Sequence, residues 1–133
     1  MWAYLPGAHQ WATREAIDLT ELTAETVISL PTTSSGRQAL DAAAIRTQQT
    51  VRVDIEASSG AVAQALAAAG RGVAVVTDDP RFDLSRSRVL ASGHLVNIHL
   101  HAGWDPDHPA HLTLAAMARR LAKHIADHYG SPE

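Results

Sequence analysis

The stretch VDIEASSGAVAQALAAAGRGVAVV, from Val53 to Val76, decides the fold. Val53 and Ile55 alternate with Asp54 and Glu56, continuing a pattern that begins at Thr50, and this is the two-residue period of a strand with one face on a core. Ser58-Ser59-Gly60 then opens an alanine-rich helix that runs to Ala69. Gly70 ends it, because a residue without Cβ takes the left-handed cap conformation with little strain. The apolar run Gly72-Val73-Ala74-Val75-Val76 reads as a strand buried on both faces, and hence as a central one. A strand, a helix and a second strand in such close succession predict parallel pairing through a crossover helix.

Working outward, the same alternation continues in both directions. Upstream, Thr26 to Leu30 is a β-branched strand closed by Pro31, and Thr32-Thr33-Ser34-Ser35-Gly36 leads into a helix from Arg37 to Ala44. Farther back, Asp18 caps a short helix through Glu25, with Glu21 completing a capping-box pair. Trp2 to Pro6 is the first strand, and His9 belongs to the loop that follows it. Downstream, Asp78-Asp79-Pro80 breaks the pattern. The segment to Ser92 reads as a loop with a short extended piece around Val89-Leu90, and Leu95 to His101 as extended. A final helix from about Pro109 to Tyr129 carries Leu112, Ala116, Leu121 and Ile125 at near-helical spacing and stops at Gly130 and Pro132. The fold class expected is α/β, a mostly parallel sheet with crossover helices on both faces.

Composition narrows the function classes. The 133 residues are 46% hydrophobic and 19% charged, a balance that folds. Acidic residues outnumber basic ones by 14 to 11 and form no blocks, so the positive footprint needed to neutralise phosphates is missing and direct nucleic-acid contact by this chain is not expected. There is no cysteine, hence no disulfide or thiolate chemistry. The opening residues lack the features of a signal peptide, and no apolar run approaches the ~20 residues that span a bilayer. A cytoplasmic protein without membrane insertion is expected.

Two junctions share one design. Leu30-Pro31 feeds Thr32-Thr33-Ser34-Ser35-Gly36, and Glu56-Ala57 feeds Ser58-Ser59-Gly60. In a parallel sheet both lie at the carboxyl edge, where open α/β sheets bind ligands. Backbone N–H groups at a helix start, with hydroxyls beside them, suit a carboxylate, sulfate or phosphate. Serine and threonine at such places also serve as plain N-caps worth ~1 kcal/mol. It is the pairing of the two junctions on one edge that makes Pro31, Thr32, Thr33, Ser34, Ser35, Ala57, Ser58 and Ser59 the candidate site.

Other chemistry finds less support. His124 and His128 sit four apart on the final helix, but two ligands do not make a metal site and no third has suitable spacing, so no metal is expected. His99 and His101 would point the same way from a strand. No nucleophile elbow, Walker sequence or dinucleotide loop is present, and Gly70-Arg71-Gly72 runs from helix to strand, the reverse of what such a loop requires. Asp78-Asp79 before Pro80 reads as a turn former. No catalytic residue and no cofactor is expected.

The segment Val53 to Val76, with its Ser-Ser-Gly helix start and its Ala-Gly-Arg-Gly turn into a buried Val-Ala-Val-Val strand, resembles the effector domain of LysR-type transcriptional regulators. Tyr4-Leu5-Pro6-Gly7-Ala8-His9-Gln10-Trp11-Ala12 is similar to that family's strand and His-Pro-Leu-Ala loop, with Gln10 and Trp11 in place of proline and leucine. Ile17 to Leu22 matches the short helix that follows, and Leu95 to Tyr129 is similar to the closing strand and helix. The resemblance implies a periplasmic-binding-protein-like half: residues 1–95 as the second effector subdomain, and 96–133 as the return segment that would complete the first. It also implies that a small effector contacts the Pro31 to Ser35 loop and the Ala57 to Ser59 helix start, and that the chain is the sensing portion without a helix-turn-helix of its own. A stand-alone solute-binding module or enzyme using the same sheet edge is the alternative. Leu112, Leu114, Ala116 and Leu121 would expose apolar surface without the first subdomain, so a homo-oligomer is expected, formed by packing or by domain swapping.

Overall fold

A computed structural model of the chain describes residues 1–99 and 101–129. They fall into two compact units, Met1–Ile98 and His99–Glu133. The first contains β1 (Trp2–Leu5), β2 (Ala16–Asp18), a 3₁₀ helix (Leu19–Ala24), β3 (Val27–Ser29), α1 (Ser35–Arg46), β4 (Val53–Glu56), α2 (Gly60–Ala68), β5 (Val73–Val76), β6 (Ser85–Ala91) and β7 (His94–Leu95). The second contains α3 (His111–Tyr129).

The first unit is α/β, and its sheet has the order β2-β6-β1-β5-β3-β4 with β7 paired to β6. β2, β3, β4, β5 and β6 all run in one direction, while β1 runs against both β5 and β6 and β7 runs against β6. The parallel trio β4-β3-β5 is the part legible from the crossover pattern. β5 is central, with every residue buried, as its unbroken apolar run requires.

Helices cover both faces. On one side Leu40, Ala43 and Ala44 of α1 and Leu19 and Leu22 of the 3₁₀ helix pack with Ala3, Leu5, Val73, Val75 and Val89. On the other, Ala63 and Ala67 of α2 meet Tyr4, Ile28, Ala74 and Val76. The strands split their side chains between the faces by simple alternation, except at β4. There the register shifts between Val27 and Ile28, leaving Asp54 as the extra residue. Its carboxylate accepts the Val27 N–H at 3.1 Å, and as a result Val53 packs with the first cluster and Ile55 with the second.

Two sequence expectations are corrected, and one further strand is present. The stretch before Ser92 is not a loop with a short extended piece: Ser85–Ala91 is a seven-residue strand, the partner of β1 and β2. Its core-facing side carries Ser87 where an apolar residue would have signalled a strand. Ser87 is fully buried, and its hydroxyl donates to the Arg14 carbonyl at 2.7 Å. Conversely, among the described residues the strand expected over Leu95 to His101 is limited to β7, which ends at Leu95, so neither His99 nor His101 stands on a strand, while Leu100 lies outside the described residues. Finally, Ala16–Asp18 forms a short strand ahead of the capped helix. The expected stop signals Gly130 and Pro132, and the side chain of His128, lie outside the described residues. No described helix is long and apolar enough to cross a membrane.

Candidate functional site

β3 and β4 are parallel neighbours with Ser29 opposite Glu56, so the two serine-rich junctions leave the sheet side by side at its carboxyl edge. Ser29 ties the edge together: its hydroxyl donates to the Val75 carbonyl at 2.8 Å, and its own carbonyl accepts the Ala57 N–H at 2.9 Å. Both interactions lie just below the junctions and hold three adjacent strands in register there.

At the first junction Pro31 begins a tight turn closed by Ser34 N–H donating to the Pro31 carbonyl at 2.9 Å. Proline presets the dihedral angle such a turn needs. Ser34 is the N-cap of α1, in extended conformation, yet its hydroxyl makes no capping bond. Thr32, Thr33 and Ser35 are exposed and Ser34 is half-buried. Behind them the Arg37 guanidinium donates to the Leu30 carbonyl at 3.2 Å and pairs with Asp41 at 2.9 Å.

At the second junction Ala57 is buried, whereas Ser58 and Ser59 are exposed. Ser59 caps α2 in the ordinary way, its hydroxyl accepting the Val62 N–H at 3.3 Å. The two helix starts therefore differ: one serine hydroxyl is engaged with its own helix, and the other is available.

A third segment arrives at the same edge. β5 is parallel to β3, so Thr77-Asp78-Asp79 emerges beside the junctions. A Cβ added to Gly36 would stand 3.4 Å from both the methyl and the hydroxyl of Thr77 and 3.7 Å from the Ser34 hydroxyl. Thr77 and Ser34 thus bracket the first turn of α1. Asp78 places its carboxylate over Gly60 at the first turn of α2, where negative charge is favoured by the helix dipole. The loop is held from below by two buried side chains. Tyr4 donates its hydroxyl to the Asp78 carbonyl at 2.6 Å, while Gln64 donates to the Asp79 carbonyl at 2.9 Å and accepts the Arg81 N–H at 2.7 Å.

The sequence of Asp78-Asp79 before Pro80 reads only as a turn, and that of Thr77, Tyr4 and Gln64 assigns them no place at the edge. One signal was present: Gln64 interrupts the apolar stretch of α2, and a glutamine facing a core must satisfy both ends of its amide. Nothing local in Thr77 or Tyr4 reports that they converge on that edge.

Elsewhere, the expected tight turn Gly70-Arg71-Gly72 borders a hollow of about 240 Å³ at the opposite edge, together with Pro6, His9, Glu25 and Thr26. Gly72 is required there, since a Cβ on it would fall 2.3 Å from the Thr26 carbonyl oxygen. His9 sits in the loop after β1, its ring 3.4 Å from the Glu25 carboxylate. Among the described residues no three histidine, aspartate or glutamate side chains converge as metal ligands would.

The family model of the LysR substrate binding domain matches residues 1–126. HinK, a LysR family transcriptional regulator from Pseudomonas aeruginosa, is similar over 92% of this chain and 45% of its own, at 19% identity and a TM-score of 0.63. The reduced form of OxyR matches over 96% of this chain and 61% of its own, at 16% identity and a TM-score of 0.67. The CcmR regulatory domain of Synechocystis, solved in complex with 2-PG, matches over 92% of this chain and 62% of its own, at 20% identity and a TM-score of 0.65. The chain therefore spans between 45% and 62% of the length of these three structures. No curated protein matches it.

Proposed function

This chain belongs to the LysR substrate-binding domain family, and from that premise we propose that it is the effector-sensing portion of a LysR-type transcriptional regulator, binding a small anionic metabolite at the carboxyl edge of its sheet. The observation that carries the reading is the adjacency of the two helix starts on the parallel strands β3 and β4. The seats are unequal. Asp78 already brings a carboxylate to the α2 start, so the anionic group belongs at α1, against the open Ser34 hydroxyl and the free N–H groups of that helix start. Ser58 and Ser59 then serve the neutral part of the ligand. Pro31, Thr32, Thr33, Ser35 and Ala57 shape the walls through their backbone and hydroxyls.

In this reading residues 1–95 form the second effector subdomain and 96–133 the return segment of the first. Ligand binding shifts a hinge equilibrium that an intact regulator passes to its DNA-binding part in the cytoplasm, without catalysis. The chain pairs with further copies through the apolar side of α3. Thermal-shift titration with aromatic and aliphatic carboxylates tests the site. A stabilisation that disappears in both Ser34→Ala and Ser58→Ala is expected. Binding that both variants retain would overturn the placement, and turnover of a carboxylate would replace the sensor with an enzyme on the same edge.

A further inference from the structure

On the α2 side of the sheet, beside the region of β3, β5 and β1 that α2 covers, the start of β1 joins β6 and β2 in a cleft of about 490 Å³ lined by Trp2, Glu15, Arg86, Arg88, Leu90 and Leu95. Alternation along β6 sends Ser87 and Val89 into the opposite core and leaves Arg86, Arg88 and Leu90 on this face. β1 supplies the floor. Trp2 lies opposite Arg88 in the ladder, with the Arg86 guanidinium carbon 4.4 Å and the Arg88 guanidinium carbon 5.8 Å from its ring centroid. Both guanidiniums are thereby held over one indole. Among the described residues, neither is in an ion pair, although Arg14, Arg37, Arg52 and Lys123 all are.

We infer that this cleft is a second ligand site, one that takes a small monocarboxylate with an apolar or aromatic body. Guanidiniums drawn toward one ring by cation–π attraction are partly pre-organised for a carboxylate, which each can bind through two N–H groups. Leu90, Leu95 and the indole edge supply the apolar wall that a small-molecule site needs beside its few polar groups. The lining also sets the ligand's charge. Two guanidiniums against the Glu15 carboxylate leave one net positive charge, which matches a monoanion better than a phosphate dianion. The site is distinct from the sheet edge: β6 is three strands from β3, or about 14 Å at the usual strand spacing. It does not depend on the effector reading.

The test titrates benzoate into isotope-labelled protein and follows the backbone amide resonances, with benzyl alcohol and inorganic phosphate in parallel. Saturable shifts are expected at residues 2, 15–16 and 86–90 with benzoate, and much weaker ones with the alcohol or phosphate. Arg86→Gln and Arg88→Gln should each weaken benzoate binding about tenfold, and Arg88→Gln, whose side chain is exposed and does not touch Tyr4, should leave the melting midpoint unchanged. Ser34→Ala and Ser58→Ala should leave these shifts intact, whatever they do at the sheet edge. The proposal is overturned if benzoate produces no saturable shift at these residues up to about 10 mM. It is equally overturned if the shifts survive both arginine substitutions, or if benzyl alcohol binds as well as benzoate.

Discussion

The carboxylate of Asp78 occupies the space where Gly60 would carry a side chain: an added Cβ would lie 2.1 Å from Asp78 Cγ and within 2.3 Å of both carboxylate oxygens. The loop cannot drift away without cost, because the Asp78 carbonyl is anchored by the Tyr4 hydroxyl. Gly60→Ala should therefore destabilise the fold by roughly 1–3 kcal/mol, the usual range for overpacking. Asp78→Ala in the same chain should recover most of that loss. Chemical denaturation of the four members of this double-mutant cycle measures the coupling, and strictly additive effects would show that the contact is not restrictive.

Tyr4 makes a second prediction, concerning alkaline pH. Burial raises its phenol above the ordinary value of 10.0, with the nearby Arg86 guanidinium opposing. The folded state therefore holds the proton more tightly than the unfolded chain does. That stabilisation is complete below the unfolded value and is lost as pH rises through the higher folded one. Tyr4→Phe should lower stability by about 1 kcal/mol at neutral pH, for the lost hydrogen bond to Asp78. Its stability should then fall less steeply than the parent's above about pH 10. Denaturation midpoints across that range decide the matter.

Gln64 is fully buried, and its amide bridges Asp79 and Arg81. Gln64→Leu suits the apolar surroundings in shape but leaves a backbone carbonyl and an N–H without their partner. A loss of about 1–3 kcal/mol is expected. Amide exchange should quicken first at Arg81, whose N–H is the one released. Uniformly faster exchange through β5 instead would show that the glutamine supports the sheet rather than the loop.

The capping box predicts behaviour in acid. Glu21 is held below the ordinary carboxylate value, first by hydrogen bonds from Arg14 and then by the Asp18 N–H, which it accepts at 2.9 Å. A depressed folded value contributes stability that is present above about pH 4.5 and lost as pH falls through the folded value. The Glu21 side chain is 33% exposed, so solvent screening limits the effect to a few tenths of a kcal/mol up to about 1. Glu21→Gln should leave a shallower decline in that window, read as melting temperature against pH.

α3 carries Leu112, Met117 and Leu121 at 74%, 62% and 55% exposure, an apolar helix surface that its own unit does not cover. Sedimentation equilibrium at micromolar concentration should show association, and Leu112→Glu with Leu121→Glu should shift the chain toward monomer. A parent protein that is monomeric throughout would contradict the pairing proposed for it.

The elements recovered best from sequence were those whose signals are local. The Asp18 and Glu21 capping box is present as read, and Gly70 adopts a positive φ of 71° at the end of α2. The junctions at Ser34 and Ser59 likewise begin helices at those caps. β6 escaped because Arg86 and Arg88 face outward while Ser87 takes a core position by bonding to the Arg14 carbonyl, so hydrophobic alternation is weak where pairing is strong. His99 and His101 show the opposite case: their surroundings alternate like a strand, but among the described residues no ladder extends past β7 to hold them.

Residue order alone was enough to determine the α/β class, the crossover from Val53 to Val76 and the two serine-rich helix starts, because periodicity, capping and glycine conformation act over a few neighbouring residues. Tertiary structure alone decided that β1 inserts antiparallel between β5 and β6, that Asp78 covers Gly60, and that Arg86 and Arg88 share the Trp2 ring. Each of those relationships joins residues far apart along the chain. Such contacts depend on which strands become neighbours, and local propensity carries no term for that choice.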